Sequence, residues 1–187
     1  ATTLNIPITG YSICYELGLF KQKIIDGRQE ELPDNWMKLG STWLITHMDK
    51  AEQVRFGGKV EDVWNPDGSH SIQHTGYTTV LAVPRDMQIA GYGTTHANTL
   101  RLWEAKSTEP MDLNFFNRGE YLKAMERQAN AEIISKQLYP ADNHREGKSL
   151  RLKQQYFFSS ATDQSICRKH KSEYGTLRNF HEKHILQ

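Results

Sequence analysis

The stretch Glu120-Tyr-Leu-Lys-Ala-Met-Glu-Arg-Gln-Ala-Asn-Ala-Glu-Ile-Ile-Ser-Lys-Gln-Leu138 is where the chain changes period. Leu122, Met125, Ala129, Ile133 and Leu138 recur near every 3.6 residues among charges and amides, which predicts an amphipathic helix over 118–138. Pro140 ends it. Residues 139–147 read as a polar loop. A second long helix is predicted over 148–172, with Leu150, Phe157, Ala161 and Ile166 on its inner stripe.

Upstream the period is two. Tyr11, Ile13, Tyr15, Leu17 and Leu19 alternate with Ser12, Cys14, Glu16 and Gly18, the mark of a half-buried strand. Asp26-Gly27 between Gln22–Ile25 and Arg28–Leu32 predicts a hairpin, because both turn residues need positive φ. Pro33-Asp34-Asn35 is placed to cap a short helix through Leu39, with Gly40 as its stop. Val54, Phe56, Val60 and Trp64 form one further alternating run with a bulge at Gly57-Gly58, and Asn65-Pro66-Asp67-Gly68 is a turn. Tyr77–Val83 is a strand ended by Pro84, and Asn98–Ala105 another, with Leu100 and Leu102 on its apolar parity. Strands over 11–106 followed by two helices make an α+β order, β-rich first.

Charge is balanced, with 23 Lys+Arg against 22 Asp+Glu in 187 residues, so no basic stripe for nucleic acid is expected. No apolar run approaches a membrane span. Two distant cysteines, Cys14 and Cys167, give no disulfide framework, and the N-terminal residues have no signal-peptide pattern. A soluble, cytoplasmic protein is the expectation.

Glu146-Gly147-Lys148-Ser149 looks like a P-loop tail, but Asp142 stands where the first glycine belongs and a helix precedes it. His70 with His74, and His181 with His184, lack further ligands at zinc spacing. The loop is the strongest candidate. It gathers Asp142, Asn143, His144 and Arg145 between two helices, with Tyr139 and Arg151 at its flanks. Carboxylate and amide suit paired hydroxyl hydrogen bonds, and an aromatic face suits the apolar side of a sugar ring. The plain reading is an exposed interhelical connection.

Three stretches resemble the glycogen (α-glucan) phosphorylases. They are Tyr15-Glu-Leu-Gly-Leu-Phe-Lys-Gln-Lys-Ile24, Asn98-Thr-Leu-Arg-Leu-Trp-Glu-Ala-Lys106, and Leu138-Tyr-Pro-Ala-Asp-Asn143 continuing through Glu146-Gly-Lys148 and Leu150-Arg-Leu-Lys-Gln-Gln-Tyr-Phe157. They are long, in order and correctly separated, and the resemblance spans essentially the whole chain. It implies an internal piece of the N-terminal domain of a two-domain, GT-B type glycosyltransferase whose active site lies in the interdomain cleft. That enzyme releases α-glucose 1-phosphate from terminal α-1,4-glucosidic bonds. Its implied partners are α-1,4-glucan, inorganic phosphate, the remainder of the polypeptide and a second copy in a homodimer. Pyridoxal phosphate is implied for the full-length enzyme, with its lysine and the phosphate site outside this chain.

Residue by residue, the resemblance makes 139–147 the active-site gate. Asn143 matches the amide that bonds a glucosyl hydroxyl, and Asp142 its acidic neighbour. Tyr139 and Arg151 match positions lining the glucan acceptor subsites. The helix over 118–138 resembles the one that packs on its twin across the dimer. Arg168 and Lys169 fall where regulated animal members carry an Arg-Arg pair for AMP phosphate, with Arg101 nearby. Those members have paired aromatics after Asp-Asn, where this chain has His144-Arg145. The segment alone is expected to be catalytically silent. The rival readings are a non-enzymatic carbohydrate-binding or dimerisation module, and a phosphate-ligand regulatory domain built on Arg101, Arg168 and Lys169.

Overall fold

A computed structural model describes residues 1–38 and 40–186 of the chain. After a 3-10 turn at Thr2–Leu4, the strands among the described residues are β1 (Thr9–Ile13), β2 (Lys21–Ile25), β3 (Arg28–Leu32), β4 (Ile45–Thr46), β5 (Glu52–Phe56), β6 (Lys59–Trp64), β7 (His70–Thr75), β8 (Thr78–Ala90) and β9 (Ala97–Ser107). Among the described residues the α-helices that follow are α1 (Leu113–Asn117), α2 (Tyr121–Glu132), α3 (Arg145–Tyr174) and α4 (Phe180–Lys183). The β-rich first half and later helices are those expected of the α+β order.

The main sheet is centred on the long antiparallel pair β8–β9. β1 adds to β9 in parallel, while β4 and β5 add antiparallel along the other edge of β8. β2–β3 and β6–β7 are separate hairpins. The first turns at Asp26-Gly27, with φ of 50° and 74°, as the turn chemistry requires.

Helices cover one face of the sheet. Ile13, Val54, Val80, Ala82, Trp103 and Ala105 from the strands meet Ala131, Ile134, Phe157 and Ala161 from the helical layer. Trp103 is fully buried, and its Nε1–H donates to Thr162 Oγ1 at 3.1 Å, so the indole carries no unmet polar atom into the core.

Several local expectations are corrected. The alternating run from Tyr11 divides after Ile13. Its first part pairs with β9; then Glu16 N–H donates to Ser135 O and Leu17 N–H to Lys136 O, both at 2.9 Å. Ser135 Oγ accepts from Ala105 N–H at 3.0 Å, taking up the edge of β9 that β1 leaves. No bulge forms at Gly57-Gly58. Both residues have positive φ, 69° and 80°, which breaks the ladder and separates β5 from β6. Trp36–Lys38 is a turn rather than helix, and Leu39 lies outside the described residues.

β8 runs straight past Pro84. In an antiparallel strand one residue's N–H and C=O point to the same side. Pro84 O accepts from His47 N–H at 3.0 Å, so the missing N–H also faces the gap between β4 and β5. The ladder to β9 loses nothing.

On β9 the buried parity is Trp103 and Ala105, while Leu100 and Leu102 are only half-buried on the opposite face. α2 is likewise turned from its expected phase. It buries Ala124 and Ala131, and a 3-10 turn at Ile133–Ser135 then buries Ile134 and Ser135. Leu122 (89% exposed), Met125 (43%) and Ile133 (49%) point outward. Both faces carry apolar residues at the same period, and small alanines let the backbone approach β9. Period alone does not choose between the two phases.

Candidate functional site

The loop between α2 and α3 is held at both ends. At its entry, the carbonyls released as α2 unwinds all find partners. Ile133 O takes Lys136 N–H, Ser135 O and Lys136 O take Glu16 and Leu17, and Ile134 O and Gln137 O both take the Gln154 side-chain amide at 3.0 Å. Tyr139 then leaves with φ of 52°, a left-handed conformation unusual for an aromatic residue, and its side chain is exposed.

At the exit, His144 is extended and caps α3, its Nδ1 accepting from Gly147 N–H at 3.0 Å. Gly147 is buried under the loop, and a Cβ on it would stand 1.7 Å from Ala141 O. That close approach explains the glycine, which the P-loop comparison left without a role.

Asp142 Oδ2 lies 3.4 Å from Arg151 Nε, tying the loop to the second turn of α3. The same guanidinium lies 6.0 Å from the Tyr139 ring centroid, within cation–π range. Asn143 is exposed at the loop's crest. Tyr139, Asp142 and Arg151 are therefore one cluster, with Asn143 beside it.

Beneath the cluster is a cavity of about 230 Å³, lined by Tyr139 and Arg151 together with Ser12, Ile13, Tyr15, Gln154, Gln155 and Phe158. Burial pushes the Tyr15 phenol up; neighbouring Tyr139 adds to this and Arg151 opposes it. Sequence reasoning missed Tyr15, Gln154, Gln155 and Phe158. Arg151, Gln154, Gln155 and Phe158 stand at i, i+3, i+4 and i+7 on α3, a mixed polar stripe that a search for apolar stripes passes over. A more open hollow of about 570 Å³ lies on the loop's other side, against Ile133, Pro140, His144, Arg145 and Lys153.

The remaining candidates lie elsewhere on α3 and β9. Arg101 is gripped by Asp86 and donates to Ser165 Oγ at 2.9 Å. Arg168 donates to Lys50 O at 3.1 Å and stands 2.8 Å from Glu52 Oε1, though off the hydrogen-bond line. Lys169 is on the surface, 3.9 Å from Glu173. Glu52 lies in the field of both arginines, yet burial outweighs them and raises its pKa.

No lysine lines the cavity beneath the loop. It cannot form an imine with the aldehyde of pyridoxal phosphate, so these residues do not fit that cofactor. Among the described residues, no helix is long and apolar enough to cross a membrane.

The family model for carbohydrate phosphorylases matches residues 1–187. A glycogen phosphorylase of Synechocystis is 41% identical over 185 residues, covering 99% of this chain and 22% of that protein. The chloroplastic/amyloplastic α-1,4 glucan phosphorylase L isozyme of Ipomoea batatas is 45% identical over 190 residues, covering 99% and 19%. A glycogen phosphorylase of Saccharomyces cerevisiae is 40% identical over 189 residues, covering 99% and 21%. The chain spans about a fifth of the length of these relatives. With its strands, loop and helices all inside the matched region, the chain belongs to the carbohydrate phosphorylase family.

Proposed function

We propose that this chain is a segment of the N-terminal domain of a two-domain, cytoplasmic α-glucan phosphorylase, and that residues 139–147 are the gate of its active site. The observation that carries the proposal is the cluster of Tyr139, Asp142 and Arg151 at a loop fixed at both ends above a cavity. Arg151 holds Asp142, and the shared contact sets the position of Asn143 one residue on. An exposed carboxamide both donates and accepts, so it can take one hydroxyl of a glucosyl unit in a single bidentate contact. Tyr139 offers a ring face and Arg151 further donors to the next sugars of the glucan.

Pyridoxal phosphate in the complete polypeptide would be held by residues outside this segment and would supply acid–base chemistry from there. This segment contributes binding and orientation of the sugar. The outward stripe of Leu122 and Met125 on α2, continued by Ile133 in the 3-10 turn after it, favours a homodimer contact there. A regulatory phosphate at Arg101 and Arg168 would first have to displace Asp86 and Glu52 from them.

The test is orthophosphate-dependent release of α-glucose 1-phosphate from maltodextrin by the complete polypeptide that carries residues 1–187. Release by that polypeptide, and none by the segment alone, is expected. A complete polypeptide that binds maltodextrin without phosphorolysing it would replace this reading with a carbohydrate-binding module.

A further inference from the structure

We propose that Gln154 is the positioning residue of the sugar-binding loop, an inference that rests on the phosphorylase reading above. Gln154 sits in α3, ten residues after the His144 cap, and is 5% exposed. Its single NH₂ group donates to two carbonyls, Ile134 O and Gln137 O, both at 3.0 Å. These carbonyls belong to the unwinding end of α2, where a helix leaves acceptors without partners of its own. Gln137 O is two residues before Tyr139, whose left-handed backbone starts the loop.

The geometry makes Gln154 the link between the two helices at the point where the loop's direction is decided. Glu16 and Leu17 hold the neighbouring carbonyls from β1's extension, but those bonds come from backbone amides and any side chain there preserves them. Gln154 is the side chain in this set, and replacing it removes two bonds at once. Arg151, one turn earlier on the same helix, holds Asp142. Gly147, two turns earlier, touches Ala141. α3 therefore fixes the loop's entry, crest and exit from one rigid element, and Gln154 fixes the entry. A buried amide with both hydrogens used aligns the carbonyls in a way that an apolar side chain of the same size does not.

The experiment compares Gln154→Met and Gln154→Lys with Val54→Ala in the complete polypeptide. Val54, on β5, is fully buried in the core, makes none of the loop's hydrogen bonds given above, and supplies a reference loss of stability. Lys keeps ammonium donors with similar reach, toward carbonyls at a helix C-terminus that favour a cation. Gln154→Met is expected to lower kcat for phosphorolysis about tenfold or more, since small misplacements of a positioning element carry costs of that order. It should also speed backbone hydrogen exchange across 139–147 about tenfold, with Val54→Ala moving neither beyond its change in melting temperature. Gln154→Lys should recover part of kcat; a merely structural role predicts that a buried cation does worse than Met, and carries the comparison if the Met variant fails to fold. Equal kcat and equal loop exchange in the Gln154 and Val54 variants would overturn the proposal. If the wild-type polypeptide releases no glucose 1-phosphate, the phosphorylase reading falls, and the exchange comparison alone then decides on Gln154.

Discussion

Asp86 and Arg101 face each other across β8 and β9, and the carboxylate holds the guanidinium with both oxygens: Oδ1 takes Nε at 2.8 Å and Oδ2 takes Nη2 at 2.7 Å. Both side chains are largely buried under α3, at 7% and 14% exposed. The hydrogen bonds to Asp86 hold the Arg101 pKa above its ordinary value, so the guanidinium stays charged.

Arg101→Met should therefore destabilise the fold by about 3 kcal/mol, because it strips the buried Asp86 of its bidentate partner and leaves it only the His47 ring, 3.6 Å away. Pairing it with Asp86→Leu should recover much of that loss. Urea unfolding of the four proteins measures the cycle. A single variant within about 0.5 kcal/mol of wild type would show that the pair is not holding the sheet to α3.

Asn143→Ala in the complete polypeptide should lower kcat/KM for phosphorolysis by about 5- to 150-fold, which corresponds to about 1–3 kcal/mol for one lost hydrogen bond to the sugar. Stability should not move, because Asn143 is exposed. Unchanged kinetics would remove Asn143 from the site.

Gly147→Ala puts a methyl group 1.7 Å from Ala141 O, a backbone atom that must then shift. The cost should reach about 1–3 kcal/mol, against the gain of a few tenths or more that Gly→Ala normally brings inside a helix. Thermal melting gives the sign directly: a stabilised Gly147→Ala variant would mean that the loop does not sit against α3 in solution.

Glu52 is a carboxyl whose folded-state pKa is raised, chiefly by burial. Between the unfolded and folded pKa values the folded chain binds the extra proton, so stability is lost as pH rises through that window. Glu52→Gln removes this dependence. The stability of Glu52→Gln relative to wild type should rise from about pH 4.5 toward neutrality, measured by urea unfolding at a series of pH values. A difference that falls with pH would show that Arg168 outweighs burial at this carboxylate.

The two thiols should react at separate rates. Burial raises Cys14 to about 11, with Arg85 opposing, whereas Cys167 is half-buried on α3. In the native protein at pH 8, iodoacetamide should label Cys167 first, and Cys14 only as the chain unfolds. Equal labelling rates, read by peptide mass, would show that β1 opens readily from the sheet.

The α+β order was legible because period two gives way to period 3.6 at one place, and the Asp26-Gly27 hairpin because its turn chemistry is local. The phase of α2 was not legible. Ala124 and Ala131 are small enough to pack on β9, and nothing in the sequence ranks them above Leu122 and Met125 for that role. Pro84 was misjudged for a tertiary reason, since only the arrangement of β4, β5 and His47 shows that its missing N–H faces a gap. At the candidate site, Asp142, Asn143 and Tyr139 stand together in sequence, and Arg151 follows within two turns of helix. Gln154 carries no signal of its own, because its meaning lies in two carbonyls 17 and 20 residues earlier.

β1 and β9 form the sheet's parallel pair, and Thr9 is matched with Thr99, a separation of 99 − 9 = 90 residues. A growing chain makes β1 long before its neighbour exists. At about 5–20 residues per second, roughly 5–20 s pass between the emergence of the two. During that interval the edge that β9 will take, and the Tyr15–Leu17 segment that orients the loop, have no native partner. The bonds that set the loop's entry wait longer still, until Ser135 emerges to meet Glu16, 135 − 16 = 119 residues on, so the loop can take its direction only after the sheet beside it has closed.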